Sequence, residues 1–222
     1  MLPPDPLSRL LAVIEMGGPA MWAIAVLSLA TLTLILWKFA QLIRIGALFG
    51  GGVSQRALAL WEAGESAAAL ALLAPRKSAR ARVNHAAMRA ALEPALSRSG
   101  AEAATEQAAR AVLAEARNGL RGLELSAAIG PLFGLLGTVT GMIAAFQGLE
   151  SAGVRADTAT LAGGIWEALL TTAAGMGVAI PAMMALSWFD GILDGLRHDM
   201  EDGATRVFLA QDRGLVQTKS AE

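Results

Sequence analysis

Three stretches of the chain run without a charged residue: Met16 to Trp37, Leu125 to Leu149, and Ala168 to Phe189. Only Glu167 separates the last from an uncharged run reaching back to Thr158. A helix needs about 20 apolar residues to cross a hydrocarbon core about 30 Å thick. The pattern predicts transmembrane helices over 19–42, 125–148 and 160–188. Trp22 and Trp37 bracket the first and Trp166 and Trp188 the third, the spacing of aromatic belts at two interfaces. One such window would suit a buried core helix; three in so short a chain do not. The first run is too long for a signal peptide and reads as an uncleaved anchor.

The polar stretches between and after these windows read as helix. In 43–124, Gly50-Gly51-Gly52 predicts a break after the first span. Ser54 to Ala63 follows as a short helix stopped at Gly64, and Glu65 to Ala74 as another that ends before Pro75. Ser99 and Glu102 have capping-box spacing and open a proline-free run over 101–125, predicted to continue into the second span with Gly119 and Gly122 softening the join. In the tail, 189–222, Leu193, Leu196, Met200, Ala204, Val207 and Phe208 recur at helical spacing. The predicted fold is an all-α membrane protein: three transmembrane helices with long helical extensions on one side.

Charge gives that side. Of 18 Lys and Arg, segment 38–124 holds twelve and 190–222 four, whereas 1–18 and 149–159 hold only Arg9 and Arg155. By the positive-inside bias, 43–124 and 189–222 are cytoplasmic, and 1–18 and 149–159 face outward. The cluster Arg76, Lys77, Arg80 and Arg82 is a candidate contact for anionic lipid headgroups, but a solvated charge run is the simpler reading. Acids outnumber bases seven to four in the tail and bases outnumber acids twelve to seven in the middle segment, which predicts packing of one on the other.

Composition narrows the chemistry. Hydrophobic residues make up 55% of the 222 and charged residues 17%, unlike an ordinary soluble enzyme. There is no Cys, only two His (His85 and His198, read as surface residues), and a net charge of −1. Thiolate sites, His-based metal centres and nucleic-acid binding by bulk charge are thereby disfavoured. No cofactor is expected. Apart from Lys38 near the end of the first, Glu167 is the one ionisable residue inside a predicted span, a costly placement that marks a functional candidate. The bland alternative is a carboxylic acid bonded between helices. Thr171 lies one turn deeper on the same face, Thr172 beside it, and Thr138 and Thr140 are the mid-span hydroxyls of the second helix. Hydroxyls can relay protons, coordinate a cation or bond a carbonyl one turn back. Gly130, Gly134, Thr138, Gly141 and Ala145 form a small-residue stripe on the second span, with Gly137 and Gly141 a further pair. The third span carries Gly163, Gly164, Gly175 and Gly177. Three spans bury so many small positions with difficulty, so self-assembly or docking of another membrane helix is expected. Pro131 and Pro181 are expected to kink their helices.

Two motifs carry a resemblance. GLLGTVTGM over 134–142 resembles the GLLGTVxGM signature of the MotA/TolQ/ExbB proton-channel family. GIWEALLTTAAG over 164–175 with VAIPA over 178–182 resembles that family's GIxEALxTTAxGLxVAIPA signature. MotA itself, with four spans, fits less well. The resemblance implies a ring, a homopentamer, around two copies of an ExbD/TolR-like single-span partner that carries a membrane aspartate. It implies a multi-pass protein of the bacterial inner membrane, with a periplasmic N-terminus and a cytoplasmic C-terminus, that converts ion flow into movement. It also implies an ion path through Thr138, Glu167 and Thr172, with Thr171 a possible addition and the proton, or else sodium, as the ion. Gly130, Gly134, Gly137, Gly141, Ala145, Gly175 and Pro181 become helix-packing or partner-docking positions. The wording Glu-Ala-Leu-Leu-Thr-Thr leans towards the branch that works with a TonB-like protein. A Tol-Pal role and a passive membrane scaffold are the alternatives, and no internal repeat supports a secondary transporter.

Overall fold

The computed structural model describes residues 8, 14–48, 51–152 and 158–214. Arg9 and Arg155, the basic residues of the two segments expected to face outward, lie outside the described residues, as does 215–222 of the tail. The described residues form helices α1 (Gly18–Arg44), α2 (Gly51–Glu62), α3 (Ser66–Leu73), α4 (Ala79–Leu92), α5 (Arg98–Arg117), α6 (Leu120–Ala152) and α7 (Thr158–Asp212). Three of them, α1, α6 and α7, are long and apolar enough to cross a membrane. At 55 residues, α7 is about 82 Å long, well over twice a hydrocarbon core.

The chain divides into two compact units. The first takes in α1 up to Trp37, α6, and α7 up to Ser187; the second takes in 38–118 and the chain from Trp188 onward.

The second unit is a helical bundle with its own apolar core. Leu58 and Trp61 from α2, Leu73 from α3, Met88 from α4 and Val207 from α7 are all but fully buried. The Trp61 indole N–H donates to the Val207 carbonyl at 3.0 Å, so the largest core side chain leaves no polar atom unpaired. The charge asymmetry between tail and middle segment shows in the ion pairs. Arg80 binds Asp199 at 2.7 Å and Arg98 binds Asp212, whereas in the opposite sense Arg206 of the tail binds both carboxylate oxygens of Glu62 at 2.7 and 3.1 Å. The hydrogen bonds from Arg206 hold the Glu62 carboxyl below the usual carboxylate range. Arg98 also lies over the Phe208 ring, 4.7 Å from its centroid.

Several local expectations are corrected. The first span is not stopped by the glycine run: Gly50 lies outside the described residues, and Gly51 already opens α2. The stop is Gly46, at φ +66°, whose N–H reaches the Ile43 carbonyl while that of Ala47 reaches Leu42, both at 3.0 Å. This is a Schellman closure; Gly64, at φ +85°, closes α2 in the same way. The cap of α5 is Ser97 rather than Ser99. The Ser97 hydroxyl accepts from the Gly100 N–H at 3.2 Å, while Glu102 is drawn to Arg98. The helix over 101–125 is not continuous: α5 ends at Arg117 and Gly119, at φ +87°, turns the chain before α6 begins. The basic cluster is only partly solvated. Arg80 spends its guanidinium on Asp199 and the Gly46 and Ala47 carbonyls, and Arg82 pairs with Glu115.

Candidate functional site: the seam between the second and third spans

In the first unit, α6 and α7 run antiparallel and meet through their small residues. Gly130 lies against Gly175 and Ala179, Gly134 against Thr171 and Thr172, Gly137 against Thr171, Gly141 against Ala168, and Ala145 against Gly164. The approach leaves no room for side chains. A Cβ on Gly134 would stand 2.9 Å from the Thr172 Cα, one on Gly130 2.9 Å from the Gly175 carbonyl oxygen, and one on Gly164 2.5 Å from the Ala145 Cβ. The expectation that this stripe waits for a helix from outside the chain is thereby corrected: α7 covers it. Gly163 and Gly177 differ: among the described residues, nothing lies within 4 Å of where a Cβ on either would stand. Both α6 and α7 run as helix through their prolines. Pro131 and Pro181 leave the Ala127 and Gly177 carbonyls without their intrahelical donors.

The hydroxyls gather on this seam. Thr171 is buried, its Oγ1 2.7 Å from the Ala168 carbonyl and 3.3 Å from that of Gly134. The half-buried Thr172 donates to the same Gly134 carbonyl at 3.1 Å. Thr138 donates to the Leu135 carbonyl at 2.7 Å and Thr140 to that of Leu136 at 3.0 Å. Each hydroxyl has its proton engaged and keeps lone pairs for a cation or an arriving proton.

Helix geometry gives the sidedness. Gly137 and Thr171 face each other across the seam. Thr138 and Thr172 each come one residue later, a turn of about 100°. On antiparallel helices equal steps turn to the same side, so Thr138 and Thr172 share one side of the seam at nearly one level. Glu167 comes four residues before Thr171, which puts it about 140° around α7 from Thr172, on the other flank. It is half-buried, and its Oε1 lies 3.8 Å from where a Gly18 Cβ would be. Gly18, at φ +59°, is the first residue of α1. Thr138 and Thr172 thus share one flank of the seam, Thr171 lies between the helices, and Glu167 lies one turn from Thr171 on the opposite flank.

Sequence reasoning missed two features. One is the Gly134 carbonyl, shared by two threonines, which no residue type announces. The other is an uncovered face of α6 that begins at Thr138 and passes Met142, Phe146 and Gln147 to Glu150. Its signal was present in the recurrence of 138, 142, 146 and 150 every fourth residue. Around the seam the surface is apolar, with Leu132, Leu135 and Phe146 on α6 and Leu169, Ile180 and Met184 on α7 all more than half exposed.

The profile of the MotA/TolQ/ExbB proton channel family matches residues 76–202, more than half of the chain and both helices of the seam. The chain belongs to that family. Among its relatives, the ExbB-like 1 biopolymer transport protein of Synechocystis is 48% identical over 83 residues, covering 36% of this chain and 33% of the relative. Biopolymer transport protein ExbB of Pseudomonas putida is 37% identical over 109 residues, covering 48% of this chain and 33% of the relative. The Tol-Pal system protein TolQ of Pseudomonas aeruginosa is 40% identical over 89 residues, covering 40% and 36%. The match therefore spans about a third of the length of each of these relatives. The chain is an ExbB-like, multi-pass membrane member of the family.

Proposed function

We propose that the chain is the channel subunit of an inner-membrane motor that draws on the proton gradient. The observation that carries this reading is the placement of Thr138 and Thr172 on one side of a glycine-packed seam inside the membrane unit. Dry, small-residue walls with hydroxyl lone pairs suit a path for a partly dehydrated proton carrier or cation. Glu167, at the start of α1, attracts the ion near the periplasmic side. The chain supplies walls and hydroxyls, and a carboxylate on the helix of an ExbD/TolR-like partner carries the charge. One charge crossing gains about 2.3 kcal/mol per 100 mV, which movement of one helix ring against the other can use. Five copies surround two partner helices, the N-terminus is periplasmic and the C-terminus cytoplasmic, and lipids cover the outer apolar faces. A TonB-like protein receives the work. The TolQ relative supports a second reading, in which the same motor serves a Tol-Pal system.

Native mass spectrometry of the chain co-expressed with the single-span protein encoded beside it tests the assembly. Five copies carrying two partners are expected. A chain that ignores the partner and stays monomeric or dimeric would turn the reading towards a passive scaffold.

A further inference from the structure

Lys38 follows the first uncharged window directly, where a lysine can lay its stem along an apolar surface and keep its ammonium in water. The structure spends it otherwise. Lys38 has no exposed surface, and its Nζ donates to the Gln41 Oε1 at 2.9 Å, the Asn118 carbonyl at 2.7 Å, and the Ala116 carbonyl. All three ammonium donors are used. One turn further along the same helix, the Gln41 side-chain amide donates to the Glu115 carbonyl at 3.2 Å. The end of α1 thus supplies a C-cap to a different helix, α5, at the carbonyl end where helix dipoles favour a cation.

These carbonyls are free because α5 stops there. The sequence permits the stop without enforcing it: Asn118-Gly119 can close a helix, with Gly119 at φ +87°, but 101–125 has no proline and good helix formers throughout most of its length. The stop coincides with side chains from α1. Lys38 and Gln41 hold the last carbonyls of α5, and the preceding residue, Trp37, packs where any Cβ on Gly119 would have to go.

We propose that Lys38 is a positioning residue that fixes the break between α5 and the second span, and with it the point from which the helix bearing Thr138 starts. A continuous helix would bury the carbonyls of Ala116 and Asn118 in its own ladder and leave the ammonium without acceptors in a site that excludes water, a costly state. The ammonium and the break therefore stabilise each other. The link to ion movement rests on the function proposed above; the clamp itself does not.

The test is hydrogen exchange on the full chain in lipid nanodiscs, comparing wild type, Lys38→Met, Lys38→Arg and Gln41→Leu. Lys38→Met is expected to change exchange over 112–122 by about tenfold or more while leaving α4 unchanged, since local openings exchange independently of the rest. Gln41→Leu is expected to give a smaller change in the same peptides, and Lys38→Arg, which keeps the cation, to restore most of the wild-type pattern. If Lys38→Met does not fold, the Gln41→Leu result decides. Unchanged exchange over 112–122 in folded variants overturns the proposal. In proteoliposomes with the partner, Lys38→Met is expected to lose ion flux and Lys38→Arg to regain it. Wild-type flux in Lys38→Met, with altered exchange, overturns the link between clamp and path. A wild type that conducts nothing counts against the proposed function and leaves the exchange result to decide on the clamp.

Discussion

In the bundle, Trp61, Leu58 and Met88 are sealed from solvent, and arginines tie the tail to the helices before it. Along the α6–α7 seam the contacts are glycine against backbone, and the cross-helix hydrogen bonds run from Thr171 and Thr172 to one carbonyl. The difference follows from the solvent each region is built for. In water, removing large apolar side chains from solvent is itself the driving force. In lipid it is not, and helices associate through close van der Waals contact, which only small residues allow. Large residues therefore hold the bundle from inside, while beside the seam many of them, such as Leu135, Phe146 and Leu169, stand on the outside.

The comparison can be broken at its largest side chain. Trp61→Ala removes the core indole and its bond to Val207, and should cost about 3–5 kcal/mol. Thermal unfolding in detergent, followed by near-ultraviolet dichroism, should show the loss; a shift of a degree or less would mean the bundle core is not what holds this region. The seam should respond in the opposite sense, to addition rather than removal. Gly134→Val puts atoms against the Thr172 backbone, which cannot move aside as a side chain can, and should cost about 1–3 kcal/mol or more. Unfolding midpoints read this too, and a neutral Gly134→Val would deny the close approach.

Gly177→Ala sharpens the point. No described residue lies near that position, so replacing a helical glycine should raise the stability of the isolated chain by about 0.5–1 kcal/mol. An unfolding midpoint below wild type would show that the position is not open. The smallest effect belongs to the surface of the bundle. The Glu62 carboxyl is held below its ordinary value of 4.5, chiefly by hydrogen bonds from Arg206. Its contribution is present above that value and lost as pH falls through the lower folded value. The pair is partly exposed, so the contribution is below about 1 kcal/mol. Melting temperatures from pH 7 downward should show an extra decline under pH 4.5 in wild type that is missing in Arg206→Ala.

The spans and the tail helix were legible because uncharged length and helical spacing are properties of one segment alone. So was Gly64, a lone glycine after a helical run. Gly50-Gly51-Gly52 misled because three glycines look like a stronger stop than one. A helix ends where a single residue turns left-handed and the next N–H groups fold back, and Gly46 does that. Gly51 and Gly52 sit harmlessly in a first turn. The α5–α6 break was only half legible: Asn118-Gly119 offers a stop, but the side chains that lie against it, Trp37 and Lys38, are some eighty residues away in sequence. The same holds for the seam: a stripe of glycines says that something approaches closely, but not that the something is Thr171, Thr172 and Gly175 of the same chain.

The most direct measurement is proton flux into proteoliposomes holding the chain and the single-span partner proposed for it, for wild type, Thr138→Val, Thr172→Val and Glu167→Gln. Threonine to valine keeps the shape and puts a methyl group where the hydroxyl was. The account predicts that both threonine variants assemble normally and lose most of the flux, with Glu167→Gln reduced as well. Undiminished flux in both threonine variants would contradict it, because the side of the seam that they share would then not be the path.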